Sequence, residues 1–71
     1  MRDPLKALGS NIRARRQALG LSQEKVAHAA DMQQTHLSRL ELGRRNPSFL
    51  SLLRIARALR TTPGKLQEGI A

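Results

Sequence analysis

No cysteine occurs in the sequence, so neither disulfides nor thiolate metal sites can brace the fold. Aromatic residues are almost as scarce: Phe49 is the single one, with no Trp or Tyr. Stacking platforms for single strands and RNA need several aromatics, which argues against that mode of nucleic-acid binding. No apolar run approaches the ~20 residues of a membrane span. The opening Met1-Arg2-Asp3-Pro4 lacks the apolar stretch of a secretion signal, so the chain reads as cytoplasmic with no membrane partner. Length is limited as well. Seventy-one residues suggest one domain spanning 1–71, too small for a deep substrate cleft or a separate effector domain.

Catalytic and metal signatures are missing too. The five glycines are dispersed, which leaves no phosphate-cradling loop, and the Ser, His and Asp residues lack a nucleophile elbow. His28 and His36 lie eight apart without HExxH spacing. The sequence therefore predicts no enzyme, no metal site and no cofactor.

Positive charge is what the chain has in quantity. Thirteen Lys and Arg face five Asp and Glu, a formal net charge of +8. That is the electrostatic footprint of a polyanion binder. A generic basic surface on a small or ribosome-associated protein fits the charge equally well, so a motif must decide.

Capping residues divide the chain into five short helices and no alternating strand pattern appears, so the fold class is all-α. Asp3 and Pro4 open a first helix over about 4–19, with Leu5, Leu8, Ile12 and Leu19 at helical spacing and Gly20 as its stop. Ser22 caps a second helix over about 22–29, whose inner face is Val26, Ala27 and Ala30. Asp31 tolerates a left-handed backbone, which allows a tight turn at 30–32. The third helix runs over about 33–42 and stops at Gly43. Gln33 is a mediocre cap there, and Met32 is placed to pack on Leu37 as a hydrophobic staple. After the basic loop Arg44-Arg45-Asn46-Pro47, Ser48 caps a fourth helix over about 49–60, with a predicted core stripe of Phe49, Leu52, Leu53, Ala56 and Leu59. Thr62-Pro63 opens a short fifth helix around Leu66.

Residues 22–42 thus read as helix, tight turn, helix. The second of these helices is short, anchored inside by Leu37 and Leu40 and polar outside, the design of a recognition helix in the major groove of double-stranded DNA. The amide fork of Gln34 matches adenine N6/N7 and the guanidinium fork of Arg39 matches guanine O6/N7. Thr35 and Ser38 would make shorter-range base contacts. The competing reading is that these four residues only solvate an exposed face. Arg44, Arg45 and Asn46 would lie beside phosphates, where they supply affinity without sequence information. The remaining basic residues, Arg15 among them, are expected mostly to solvate outer faces.

Residues 12–66 resemble the Cro/phage-repressor (XRE) family of helix-turn-helix proteins. The matching residues are Ile12-Arg13-x-x-Arg16 and Gly20-Leu21-Ser22-Gln23-Glu24-x-Val26-Ala27. They continue as Leu37-Ser38-Arg39-Leu40-Glu41-x-Gly43, Arg45-Asn46-Pro47-Ser48 and Leu52-Leu53-x-Ile55-Ala56-x-Ala58-Leu59. The resemblance implies a five-helix bundle and a transcriptional regulator, in most cases a repressor. It implies a phosphate contact from Gln23, base-reading positions at Gln34, Thr35 and Arg39, and a structural ion pair between Arg16 and Glu41. Gln33 stands where the family usually has Ser or Thr, which leaves phosphate contact but weakens the cap. Asp31 replaces the common glycine of the turn.

Some apolar residues look surplus to the core. Leu42 ends the third helix pointing away from Leu37, Leu50 falls off the fourth helix's stripe, and Leu66 and Ile70 add apolar surface near the C-terminus. A self-complementary patch of this kind suggests a homodimer built from the helix 4–5 region. The alternative is a protein-interaction module, such as an antitoxin, with a toxin or polymerase as its partner.

Overall fold

The computed structural model describes residues 3–70, and among them the secondary structure is entirely helical: α1 (Pro4–Ala18), α2 (Gln23–Ala29), α3 (Gln34–Glu41), α4 (Phe49–Ala58) and α5 (Pro63–Leu66). Helix starts follow the capping chemistry. The Asp3 carboxylate accepts from the amides of Leu5 and Lys6 at 2.9 and 3.3 Å. Ser22, Ser48 and Thr62 each accept from the amide three residues on, at 3.1 Å. One orphan donor of each first turn is thereby satisfied.

Helix ends share a second device. After α1 to α4 the chain turns through a left-handed residue: Gly20, Asp31, Gly43 and Arg60, with φ of 69, 56, 73 and 56°. The next amide then returns to a carbonyl five residues back, as Met32 N to Ala27 O at 2.9 Å and Thr61 N to Ala56 O at 2.9 Å. Arg60 is the departure from expectation. It ends α4 at Ala58 rather than 60, because its own backbone is already left-handed.

The core gathers Ile12, Val26, Ala27, Ala30, Leu37, Leu40, Leu52, Ile55, Ala56, Leu59 and Leu66, with Leu8, Leu19, Leu21 and Met32 packed against it. Two expectations need correcting. Phe49 is 72% exposed, because as the first residue of α4 it overhangs the end of the core; Ile55 takes the buried place beside Leu52, Ala56 and Leu59. Leu66 is 2% exposed and belongs to the core, not to a surface patch, because the single turn of α5 folds back against α4 and α1. Side chains from α1 hold it there. Asn11 Nδ2 donates to the carbonyls of Leu66 and Glu68 at 2.8 and 2.9 Å, and Arg15 donates to those of Leu59 and Arg60 at 2.9 and 3.0 Å. Residues 11 and 15 share one helix face. Arg15 therefore closes the carbonyl end of α4 instead of merely solvating a surface.

Helix α1 approaches α3 closely at Gly9. A Cβ there would stand 2.5 Å from the carbonyl oxygens of Leu40 and Glu41, so only glycine lets the two backbones meet. That contact sets the position of α3.

Candidate nucleic-acid interface

The helix-turn-helix consists of α2, the turn at 30–33, and α3. On α3 the turn-by-turn spacing puts Gln34, Thr35, Ser38 and Arg39 on one face, away from the buried Leu37 and Leu40. Gln34, Thr35 and Arg39 are exposed and Ser38 is half-buried. Gln33 is exposed at the N-cap and its side chain makes no cap hydrogen bond, so no side chain at that position satisfies the first-turn amides of α3. Arg44, Arg45 and Asn46 are exposed in the loop that follows.

A buried polar network anchors this unit. Glu41 belongs to the same row as Gln34 and Ser38, yet its side chain is only 3% exposed. Arg16, from α1 and 13% exposed, meets it side-on through one edge of its guanidinium: Nε to Oε2 at 2.7 Å and Nη2 to Oε1 at 3.1 Å. Its Nη1 donates to the Leu21 carbonyl at 3.0 Å, and Gln23 Nε2 donates to Glu41 Oε1 at 3.0 Å. One carboxylate thus ties the end of α1, the start of α2 and the end of α3 together. The hydrogen bonds that Arg16 donates to Glu41, with a smaller contribution from the carboxylate's charge, hold the guanidinium pKa above its ordinary value despite partial burial. Arg16 therefore stays cationic.

The network also removes a liability. A carboxylate left open on the outer row of α3 would repel phosphates; here it is enclosed by a fork and an amide. Gln23 has a second Nε2 hydrogen, which the bond to Glu41 leaves unused. The amide is consequently oriented before any ligand arrives.

This architecture matches known proteins along most of its length. A family model described as Helix-turn-helix covers residues 12–66. The chain belongs to the XRE-type helix-turn-helix family. Across 57 residues it is 44% identical to an uncharacterized HTH-type transcriptional regulator of Sinorhizobium fredii, covering 80% of this chain and 74% of that one. The restriction-modification controller protein C.AhdI of Aeromonas hydrophila superposes with a TM-score of 0.86 at 35% identity, over 87% of this chain and 94% of that one. The DNA-binding domain of the P22 C2 repressor superposes with a TM-score of 0.86 at 28% identity, over 100% of this chain and 92% of its own. Family and fold are those of DNA-binding regulators. No helix among the described residues is long and apolar enough to cross a membrane.

For an XRE-type chain, three features of this site were not read from the sequence. Arg15 reads as a solvated arginine, because nothing in its spacing separates it from one that caps a helix end. Gly9 carried a signal, an isolated glycine inside a helical pattern. The bond from Gln23 to Glu41 carried none, since the two residues lie on different helices.

Proposed function

We propose that this protein is a sequence-specific double-stranded DNA-binding regulator, acting as a repressor, that inserts α3 into the major groove as a homodimer. Gln34, Thr35, Ser38 and Arg39 read base edges. Gln23, Gln33, Arg44, Arg45 and Asn46 contact phosphates, the glutamine at 23 through its unused amide hydrogen. The observation that carries this reading is the polar face of α3, exposed beside a basic loop and fixed by the buried Arg16–Glu41–Gln23 network. The named regulators that share its family and fold support it.

Selection from random duplex DNA at ~150 mM salt tests it. The expected product is a palindrome whose half-sites lie about one helical turn (~34 Å) apart. Recovery of no motif, with binding that vanishes as salt rises, would overturn it. Docking of a protein partner, a toxin or polymerase, is the second reading. It draws on Leu42 and Leu50, which are 48% and 55% exposed.

A further inference from the structure

A hollow of roughly 320 Å³ lies where the end of α1, the outer side of α2 and the end of α4 come together. Its floor is aliphatic: Leu19, Leu21, Val26, Ala29 and Ala58. Val26 belongs to the core, and Leu19, Leu21 and Ala58 pack against it, so the floor is held from behind. Two cations, Lys25 and Arg60, complete the lining, and no acidic residue joins them. Both are exposed. The hydrogen bonds these two residues make are backbone ones: the Lys25 amide donates to Ser22, and the Arg60 carbonyl accepts from Arg15. Among the described residues neither ammonium nor guanidinium has an acidic partner.

Arg60 stands there at a loss to the fold. Its backbone is left-handed, with φ of 56°, the conformation that glycine supplies after α1 and α3. An L-residue is disfavoured in it, and the Arg60 side chain makes no bond within the chain that would offset the strain. Strain carried by a residue whose polar head is left free points to a binding role for that head.

The position of the hollow separates it from the DNA face. None of its lining residues comes from α3 or from the loop 44–46, and Gln23 is not among them. Phosphates would leave five aliphatic side chains without a partner. The complement of this surface is instead an apolar side chain flanked by carboxylates, which buries the floor and meets both cations.

We propose that this hollow docks an acidic segment of a partner protein. A leucine, isoleucine or phenylalanine of that segment enters the aliphatic floor, and neighbouring Asp or Glu side chains pair with Lys25 and Arg60. Partner and DNA then occupy different sides of the molecule. The surface is distinct from Leu42 and Leu50, and the proposal does not depend on α3 reading DNA.

Panning the full chain against a displayed library of random dodecapeptides at ~150 mM salt supplies the probe. The recovered sequences are expected to set Asp or Glu beside Leu, Ile or Phe. With one such peptide synthesised, Arg60→Gly should weaken its binding about threefold while raising the Tm of the free protein. Loss of fold cannot produce that pairing. Lys25→Glu combined with Arg60→Gly should weaken binding roughly tenfold or more. Ala29→Gln, which lays a polar chain over the floor from an exposed helical position, should also weaken it. A library that yields no acidic and apolar peptide overturns the proposal. So does a selected peptide that binds these variants as tightly as wild type. Displacement of the peptide by duplex DNA overturns it too, because the two cations would then serve phosphates.

Discussion

Arg39 and Arg45 are both exposed guanidinium groups a few residues apart, and their proposed roles differ only in what they touch. A fork on a base edge discriminates; a fork on a phosphate does not. Arg39→Ala should therefore cost about 1–3 kcal/mol on the selected site and flatten base preference at one position. Arg45→Ala should weaken selected and random duplexes alike and reduce the salt slope by about 1. Affinity measured on both duplexes across a salt series separates the two, and equal losses for both variants would refute the assignment. Arg16 answers to a different measurement. Glu41→Ala leaves a mostly buried guanidinium without its carboxylate and Gln23 without its acceptor, a loss of about 3 kcal/mol in urea unfolding. A base whose folded pKa is raised contributes stability below its unfolded pKa and loses it as pH rises through the folded one. For Arg16 that window lies above the ordinary guanidinium range, so the arginine introduces no titration between pH 5 and 9. A midpoint in that range that disappears in Arg16→Lys would contradict this.

At the scale of elements, the left-handed residues that end α2 and α4 carry a cost that glycine at the other two ends does not. An L-residue in that conformation loses about 1–2 kcal/mol. Arg60→Gly should therefore stabilise the fold by about 1 kcal/mol, since the carbonyl that accepts from Arg15 and the amide that donates to Arg57 are both backbone groups and remain after the change. Thermal unfolding of the two proteins side by side checks this; a lower midpoint for the glycine variant refutes it. Gly9→Ala works the other way. Its Cβ meets backbone oxygens that cannot swing aside, so α1 and α3 must separate at a cost of about 1–3 kcal/mol. The same two residues mark how far the elements were legible in the sequence. Asp3, Ser22, Ser48 and Thr62 announced helix starts because capping is local chemistry. Gly20 and Gly43 announced stops for the same reason. Arg60 announced nothing, since a left-handed arginine is dictated by the return of α5 onto the core and not by its own propensity. Leu66 and Phe49 exchanged their expected surroundings on similar grounds: periodicity tells which side of a helix faces inward but not where along the axis the core ends. The candidate DNA face was legible because polar residues opposite Leu37 and Leu40 need only helical spacing. Its bracing by Gln23 was not, because that contact forms only once α2 and α3 are packed.

For the whole molecule, binding DNA and staying folded are one equilibrium. A ligand that binds only the folded chain stabilises it by about 2.7 kcal/mol at a hundredfold excess over Kd. In a domain of this size each kcal/mol moves Tm by about 4–8 °C. The selected duplex should therefore raise Tm by on the order of 10–20 °C, a gain as large as the loss expected of Glu41→Ala. Salt should then erode the gain by a calculable amount. Two cationic phosphate contacts per copy, Arg44 and Arg45, give a slope of about −0.9 × 2, or roughly −1.8 in log affinity against log salt. Fourfold more salt then weakens each copy roughly twelvefold, close to 1.5 kcal/mol. The Arg16–Glu41 pair is enclosed and should not respond, so the Tm of the free protein ought to stay nearly constant over the same series. Should the measured slope be much steeper, other cations must join the loop. Lys6 is then the first to test, because its backbone and Cγ lie against Gly43, immediately before Arg44. A slope near zero with the Tm gain intact would mean an apolar docking surface, and α3 would no longer be the face that binds.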